Sequence, residues 1–181
     1  MSTKRLFVSI ALPETVAELF VRLDPNIRGV RWLTPPQMHL TLSFLGSVST
    51  LAEETLKKKL DAFSWKPFFL PLCGLGKFPR KGPPTVIWVG VGTGHPHLFQ
   101  LHKRIQEAAI AAGLEPELRS FHPHVTIARC RNVSAQSVRP FIKSHDAFDA
   151  GMIHVDSFSL NSSNLTPNGP IYTCELLVQS K

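Results

Sequence analysis

Two short stretches of the 181-residue chain could do chemistry together: His39-Leu40-Thr41-Leu42 and His124-Val125-Thr126-Ile127, 85 positions apart. On an extended strand side chains alternate between faces. His39, Thr41 and Ser43 therefore share one face and Leu40, Leu42 and Phe44 the other; His124, Thr126 and Ala128 likewise oppose Val125 and Ile127. The apolar face must pack on a core, which turns the histidine and threonine of each stretch toward a cleft or solvent. One His-x-Thr on a strand reads as a surface histidine. Two copies at matching positions, each followed by an apolar residue, point to function.

A pseudo-twofold axis relating the two stretches would bring two imidazoles and two hydroxyls into one small volume. That set suits transfer at phosphorus. A neutral imidazole can take a proton from attacking water while an imidazolium gives one to the leaving oxygen, and both forms exist near neutral pH. Thr41 and Thr126 can donate hydrogen bonds to the non-bridging oxygens. The His122/His124 and His95/His97 pairs have the spacing to chelate zinc on a strand, but no cysteine or carboxylate cluster completes a ligand set. The site is therefore expected to hold no metal and no cofactor. His102, His145 and His154 read as ordinary surface or rim residues.

The elements that must position these residues come in two matching sets. Periodicity and punctuation predict strands over 6–12, 39–45, 68–75, 85–91, 124–130, 153–160 and 172–178. They predict helices over 13–23, 50–63, 97–112 and 134–143, the second opened by a capping box of Thr50 and Glu53. Each His/Thr strand is preceded by a β-α pair and followed by a helix, a strand, a Gly-Pro loop (Gly82-Pro83, Gly169-Pro170) and another strand. A fixed long period with shared punctuation implies internal duplication. The expected fold is α+β: a single domain over 1–181 with repeats at about 5–91 and 85–179. It would be bilobal, with two largely antiparallel sheets, outer helices and a pseudo-twofold central cleft. A parallel doubly wound sheet fits less well, because no helix separates the paired strands after each motif.

Composition agrees with a folded chain: 43% apolar and 18% charged residues can bury a core. No apolar run approaches the roughly 20 residues of a membrane-spanning helix. The run 6–12 after Lys4 and Arg5 is at the short limit for a signal peptide and reads as a first strand. Cys73, Cys130 and Cys174 are an odd, scattered set, which argues for a reducing compartment and a cytoplasmic location. A net charge of +7 favours a polyanionic partner. Arg28, Arg31, Lys77, Arg80 and Lys81 are expected in loops that could guide a nucleic-acid backbone. No G-x-x-x-x-G-K-[ST] stretch is present to hold a nucleoside triphosphate.

The chain resembles the two-histidine (2H) phosphoesterases, and within them the bacterial RNA 2′,3′-cyclic phosphodiesterases once named 2′–5′ RNA ligases. The resemblance runs nearly end to end. It is carried by Arg5-Leu6-Phe7-Val8-Ser9-Ile10-Ala11-Leu12-Pro13, by Met38-His39-Leu40-Thr41-Leu42-Ser43-Phe44-Leu45-Gly46, by Phe121-His122-Pro123-His124-Val125-Thr126-Ile127-Ala128-Arg129, and by the Ser/Asn-rich stretch at Asn161–Asn164 with the Tyr172 strand. It implies opening of a 2′,3′-cyclic phosphate at an RNA end to a 2′-phosphate, without ATP or metal, with 2′–5′ ligation as the reverse reaction. It implies His39 as proton donor, His124 as proton acceptor, and Arg129 as a phosphate-holding residue. Strict alternation would turn Arg129 away from the cleft unless the strand bends; Phe44, its counterpart in the first motif, could stack on a base, but its parity assigns it to the core. The partner is thus an RNA with a cyclic phosphate end, met by a monomer with no membrane association and no obligate protein partner. The same site could instead serve small cyclic nucleotides or 2′,5′-linked oligonucleotides. From another class, a non-catalytic RNA-binding protein would keep the cleft without turnover.

Overall fold

The opening apolar run is β1 (Thr3–Ala11), in which Leu6, Phe7, Val8, Ser9 and Ile10 are all buried. A strand buried on both faces lies inside a sheet, not at its rim. In the computed structural model, which describes residues 3–93, 95–115, 117–167 and 169–181, α1 (Glu14–Val21), β2 (Val30–Trp32), β3 (His39–Ser49), α2 (Thr50–Asp61), β4 (Phe68–Phe78) and β5 (Val86–Gly90) follow. Then come α3 (Pro96–Ala111), β6 (His124–Cys130), α4 (Ala135–Ser144), β7 (Asp149–Val155), β8 (Ser157–Thr166) and β9 (Gly169–Gln179).

The strands form one path, β7-β4-β5-β6-β3-β1-β8-β9, with every ladder antiparallel and β2 pairing with β6. The two expected sheets are its halves, β3-β1-β8-β9 and β6-β5-β4-β7. They are joined through a single residue pair, Leu40 with Val125. The halves are intertwined: late strands β8 and β9 complete the half begun by β1 and β3, while early β4 lies in the half of β5 and β6. The fold is α+β as expected. Phe20, Leu40, Leu42, Ile105, Ile127 and Phe158 are among its fully buried side chains.

Three local expectations are corrected. The strand predicted over 153–160 is two strands meeting at Asp156: β7 pairs with β4 in one half, β8 with β1 and β9 in the other. Helix α2 is capped by Ser49, whose Oγ accepts from the Ala52 N–H, and not by Thr50; such a cap is worth about 1 kcal/mol. Glu53, freed from a capping box, is buried and held by Lys57 Nζ at 2.6 Å and Lys4 Nζ at 3.1 Å. Glu175 on β9 binds the same Lys4 at 2.9 Å, and that bond above all holds its carboxyl down at about 2. Finally, β2 had no counterpart in the predicted elements.

Candidate active site

The single pair joining the half-sheets places His39 and His124 beside the seam, each at the first position of its strand. The surroundings of the two imidazoles match. His39 packs against the rings of Phe7 (5.0 Å between centroids) and Tyr172 (5.2 Å, perpendicular), which also meet each other at 5.1 Å. His124 packs against Phe78 (5.0 Å) and Trp88 (6.1 Å), which meet each other at 5.3 Å. Trp88 can lie flat there because its neighbour across the β4–β5 ladder is Gly76, where a Cβ would collide with the indole. Each histidine also bonds to the backbone two residues earlier: His39 to Gln37, His124 Nδ1 to the His122 carbonyl at 2.6 Å. A carbonyl only accepts, so Nδ1 of His124 carries the proton and, in the neutral ring, Nε2 holds the lone pair.

Burial dominates the electrostatics. It pushes His39 down to about 4, with the Arg129 and His124 charges adding to the fall and the Gln37 bond opposing it. His124 is also lowered, again chiefly by burial, against the effect of its His122 carbonyl bond. Burial thus favours the neutral form of both rings in the ligand-free protein, and an anion beside them would raise both.

The strand parity used on the sequence fails after each threonine, for a shared reason. In the β1–β3 ladder Val8 pairs with Ser43 and Ser9 with Thr41, leaving Leu42 as an extra residue. In the β5–β6 ladder Ile87 pairs with Ala128 and Trp88 with Thr126, leaving Ile127 extra. These are β-bulges at equivalent positions, and a bulge re-aims the side chains beyond it. Ser43 and Ala128, expected on the cleft face, are fully buried. Phe44, assigned to the core, is 54% exposed and lines the groove. Arg129 is likewise turned outward and lines the same hollow as His39.

The groove is a chain of three hollows. The first, about 630 Å³, holds His39, Arg129, Arg5, Arg119 and Tyr172. The second, about 590 Å³, shares Phe44 with it and holds Thr41 and His124. The third, about 490 Å³, continues past His124 between Trp88, Phe99 and Phe121, with Arg80 at its wall. His39, Thr41, His124 and Arg129 are thus brought to one groove. Thr126 is partly exposed opposite Trp88 but is not among the residues lining these hollows. Lys77 is not free to guide a backbone: its Nζ donates to the carbonyls of Pro79, Arg80 and Gly82 at 2.9–3.0 Å. Arg31 lies in β2 and not in a loop. Arg5 and Arg119 were missed; nothing in local spacing marks them, since only the fold brings them to His39. Among the described residues, no group of three or more His, Cys, Asp or Glu is placed to hold a metal ion.

Comparison with known proteins agrees with this geometry. The sequence profile of the LigT like Phosphoesterase family matches twice, over residues 8–88 and 89–172. The chain belongs to the LigT-like phosphoesterase family. Relatives in it include a protein named RNA 2′,3′-cyclic phosphodiesterase from Aquifex aeolicus, 32% identical over 96% of this chain and 95% of its own. One of the same name from Thermotoga maritima is 33% identical over 93% and 91%. Among solved structures, E. coli LigT complexed with 3′-AMP superposes with a TM-score of 0.83 at 27% identity, covering 99% of both chains. The family fold is therefore preserved end to end, with both histidine motifs inside the matched segments.

Proposed function

We propose that this chain hydrolyses a terminal RNA 2′,3′-cyclic phosphate to a 2′-phosphate, without ATP or metal. The observation that carries the reading is the pair of matched imidazoles. Each is anchored to the backbone two residues upstream, and they flank one groove lined with arginines. The names of the Aquifex and Thermotoga relatives support the substrate class. His124 Nε2 takes a proton from water as the water oxygen attacks phosphorus. The bond from phosphorus to the 3′-oxygen breaks in line, and His39 supplies the proton to that oxygen. Thr41, Thr126 and Arg129 hold the non-bridging oxygens, on which charge builds in the transition state. With the 5′-hydroxyl of a second RNA in place of water as the nucleophile, the same steps give a 2′–5′ linkage and free the 3′-hydroxyl. No described helix is long and apolar enough to cross a membrane, and we read the protein as a cytoplasmic monomer.

The test is an RNA oligomer ending in a 2′,3′-cyclic phosphate, incubated with the protein in EDTA. A 2′-phosphate product at an undiminished rate is expected. A 3′-phosphate product, or activity abolished by EDTA and restored by zinc or manganese, would overturn the reading.

The acid must be protonated to work, yet His39 sits at about 4 in the free protein. The bound phosphodiester anion favours imidazolium and raises the pair. The pH profile should be bell-shaped, with its alkaline limb at higher pH in kcat, which reports the complex, than in kcat/KM, which reports the free enzyme. The limbs belong to a coupled pair and not to either residue alone. An alkaline limb that stays put or moves to lower pH in kcat would contradict the assignment of an anion between the imidazoles.

A further inference from the structure

The two equivalent bulges are covered differently. On β6 the edge away from β5 pairs with β3 at Val125 and with β2 at residues 128–130. The Ile127 carbonyl, at the bulge, accepts from the Leu33 N–H at 2.9 Å. Main chain thus braces that side of the second motif. On β3 the corresponding edge pairs with β6 only at Leu40, and among the described residues no strand takes over beyond it. The equivalent carbonyl, Leu42, is instead met by His102 Nδ1 at 2.7 Å, and the Phe44 N–H donates to Glu117 Oε2 at 3.2 Å.

His102 comes from α3, with Gln106 four residues on along the same face, and Gln106 Nε2 donates to Ser43 Oγ at 2.7 Å. The His102 ring also lies flat on Phe121, with centroids 4.0 Å apart and planes 4° apart. Phe121 stands three residues before His124. One imidazole is therefore hydrogen-bonded to the first motif strand and stacked on the lead-in to the second. It sits in the hollow shared by Thr41 and His124.

We propose that His102 is a positioning residue for the reaction: its Nδ1–H replaces the strand that the first motif lacks, and so fixes the bulge that directly follows Thr41 and turns Phe44 into the groove. The inference rests on the reading of this groove as the active site. The ring makes no proton transfer; it sets the spacing of two strands whose ladder is a single residue pair. The physical requirement is a donor at the Nδ1 position, one bond from Cγ, facing a buried carbonyl that has lost its ladder partner.

The test compares His102→Asn, which keeps an N–H one bond from Cγ, with His102→Gln, which moves the N–H to the Nε2 position. The asparagine variant should keep kcat within about threefold of wild type, and the glutamine variant should lose about tenfold or more in kcat with a smaller change in KM. His102→Gln combined with Thr41→Ala should cost less than the product of the two single losses, because both act through the same strand segment. Equal kcat for the Asn and Gln variants, or independent multiplicative losses, would overturn the proposal. Wild-type turnover run alongside tests the reading of the groove by itself. Should it be absent, the proposal is still read from the NMR signal of the Ser43 amide, which adjoins the Leu42 carbonyl. That signal is expected to shift in the glutamine variant and hold in the asparagine variant; the same shift in both would count against it.

Discussion

His39→Ala and His124→Ala are each expected to lower turnover of an RNA 2′,3′-cyclic phosphate by at least ~10²–10⁴-fold, the usual contribution of a positioned general acid or base. The double variant should be little worse than the poorer single one, because proton delivery and proton removal belong to one concerted displacement and the first loss already disables it. Folding should survive. Both imidazoles lie on the groove side of their strands, against aromatic rings that still pack on each other when they are removed. Their neighbours Leu40, Leu42, Val125 and Ile127, which are fully or almost fully buried, hold the strands in place. Circular dichroism and thermal melting of each variant separate lost chemistry from lost structure. Near wild-type turnover by either single variant, or loss of substrate binding as large as the loss of rate, would end the two-histidine mechanism.

Much of this site was legible because its determinants are local. A histidine and a threonine two residues apart share a strand face whatever the rest of the fold does, and the recurrence at 85 positions announced that two such faces would meet. The bulges were not legible. Leu42 and Ile127 are buried and look like ordinary members of an alternating pattern; they are extra residues only relative to partners on β1 and β5. Parity therefore misassigned Ser43, Ala128 and Phe44, and left Arg129 dependent on a bend that only the ladder reveals. For the same reason the sequence alone reads His102 as an ordinary surface or rim residue. Its role depends on the missing continuation of a ladder, which no local signal on α3 reports.

The break at Asp156 is a different kind of miss, because its signal was present. Ile153 and Val155 are buried at odd positions, Phe158 and Leu160 at even ones. A strand changes the parity of its buried face only at a bulge or where it ends. The switch marks the point where the chain leaves one half-sheet for the other. That crossing carries β8 and β9 over to β1 and so brings Tyr172 against His39. A ring that packs against the first imidazole is thus delivered by β9, and its place depends on the break at Asp156.

The roles of the two histidines can be told apart with a substrate whose 3′-oxygen is replaced by sulfur. A thiolate is a far better leaving group than an alkoxide and departs with little help from a proton. The residue that protonates the leaving atom then loses most of its importance, while the residue that activates water keeps all of it. With His39 as the acid, the His39→Ala defect should shrink by most of its ~10²–10⁴-fold on the thio substrate, and the His124→Ala defect should persist undiminished. The structure gives this experiment its direction. Nε2 of His124 holds a lone pair, fixed by the proton that Nδ1 donates to the His122 carbonyl, and is ready to accept from water. His39 shares its hollow with Arg129, so an anionic oxygen held by that guanidinium lies within the field that can recharge the ring. Rescue of His124→Ala with no rescue of His39→Ala would reverse the acid and the base and leave the paired site intact. Rescue of neither would mean that departure of the 3′-atom does not limit the rate in either variant, and that His39 acts on the charge of the phosphate and not on its leaving group.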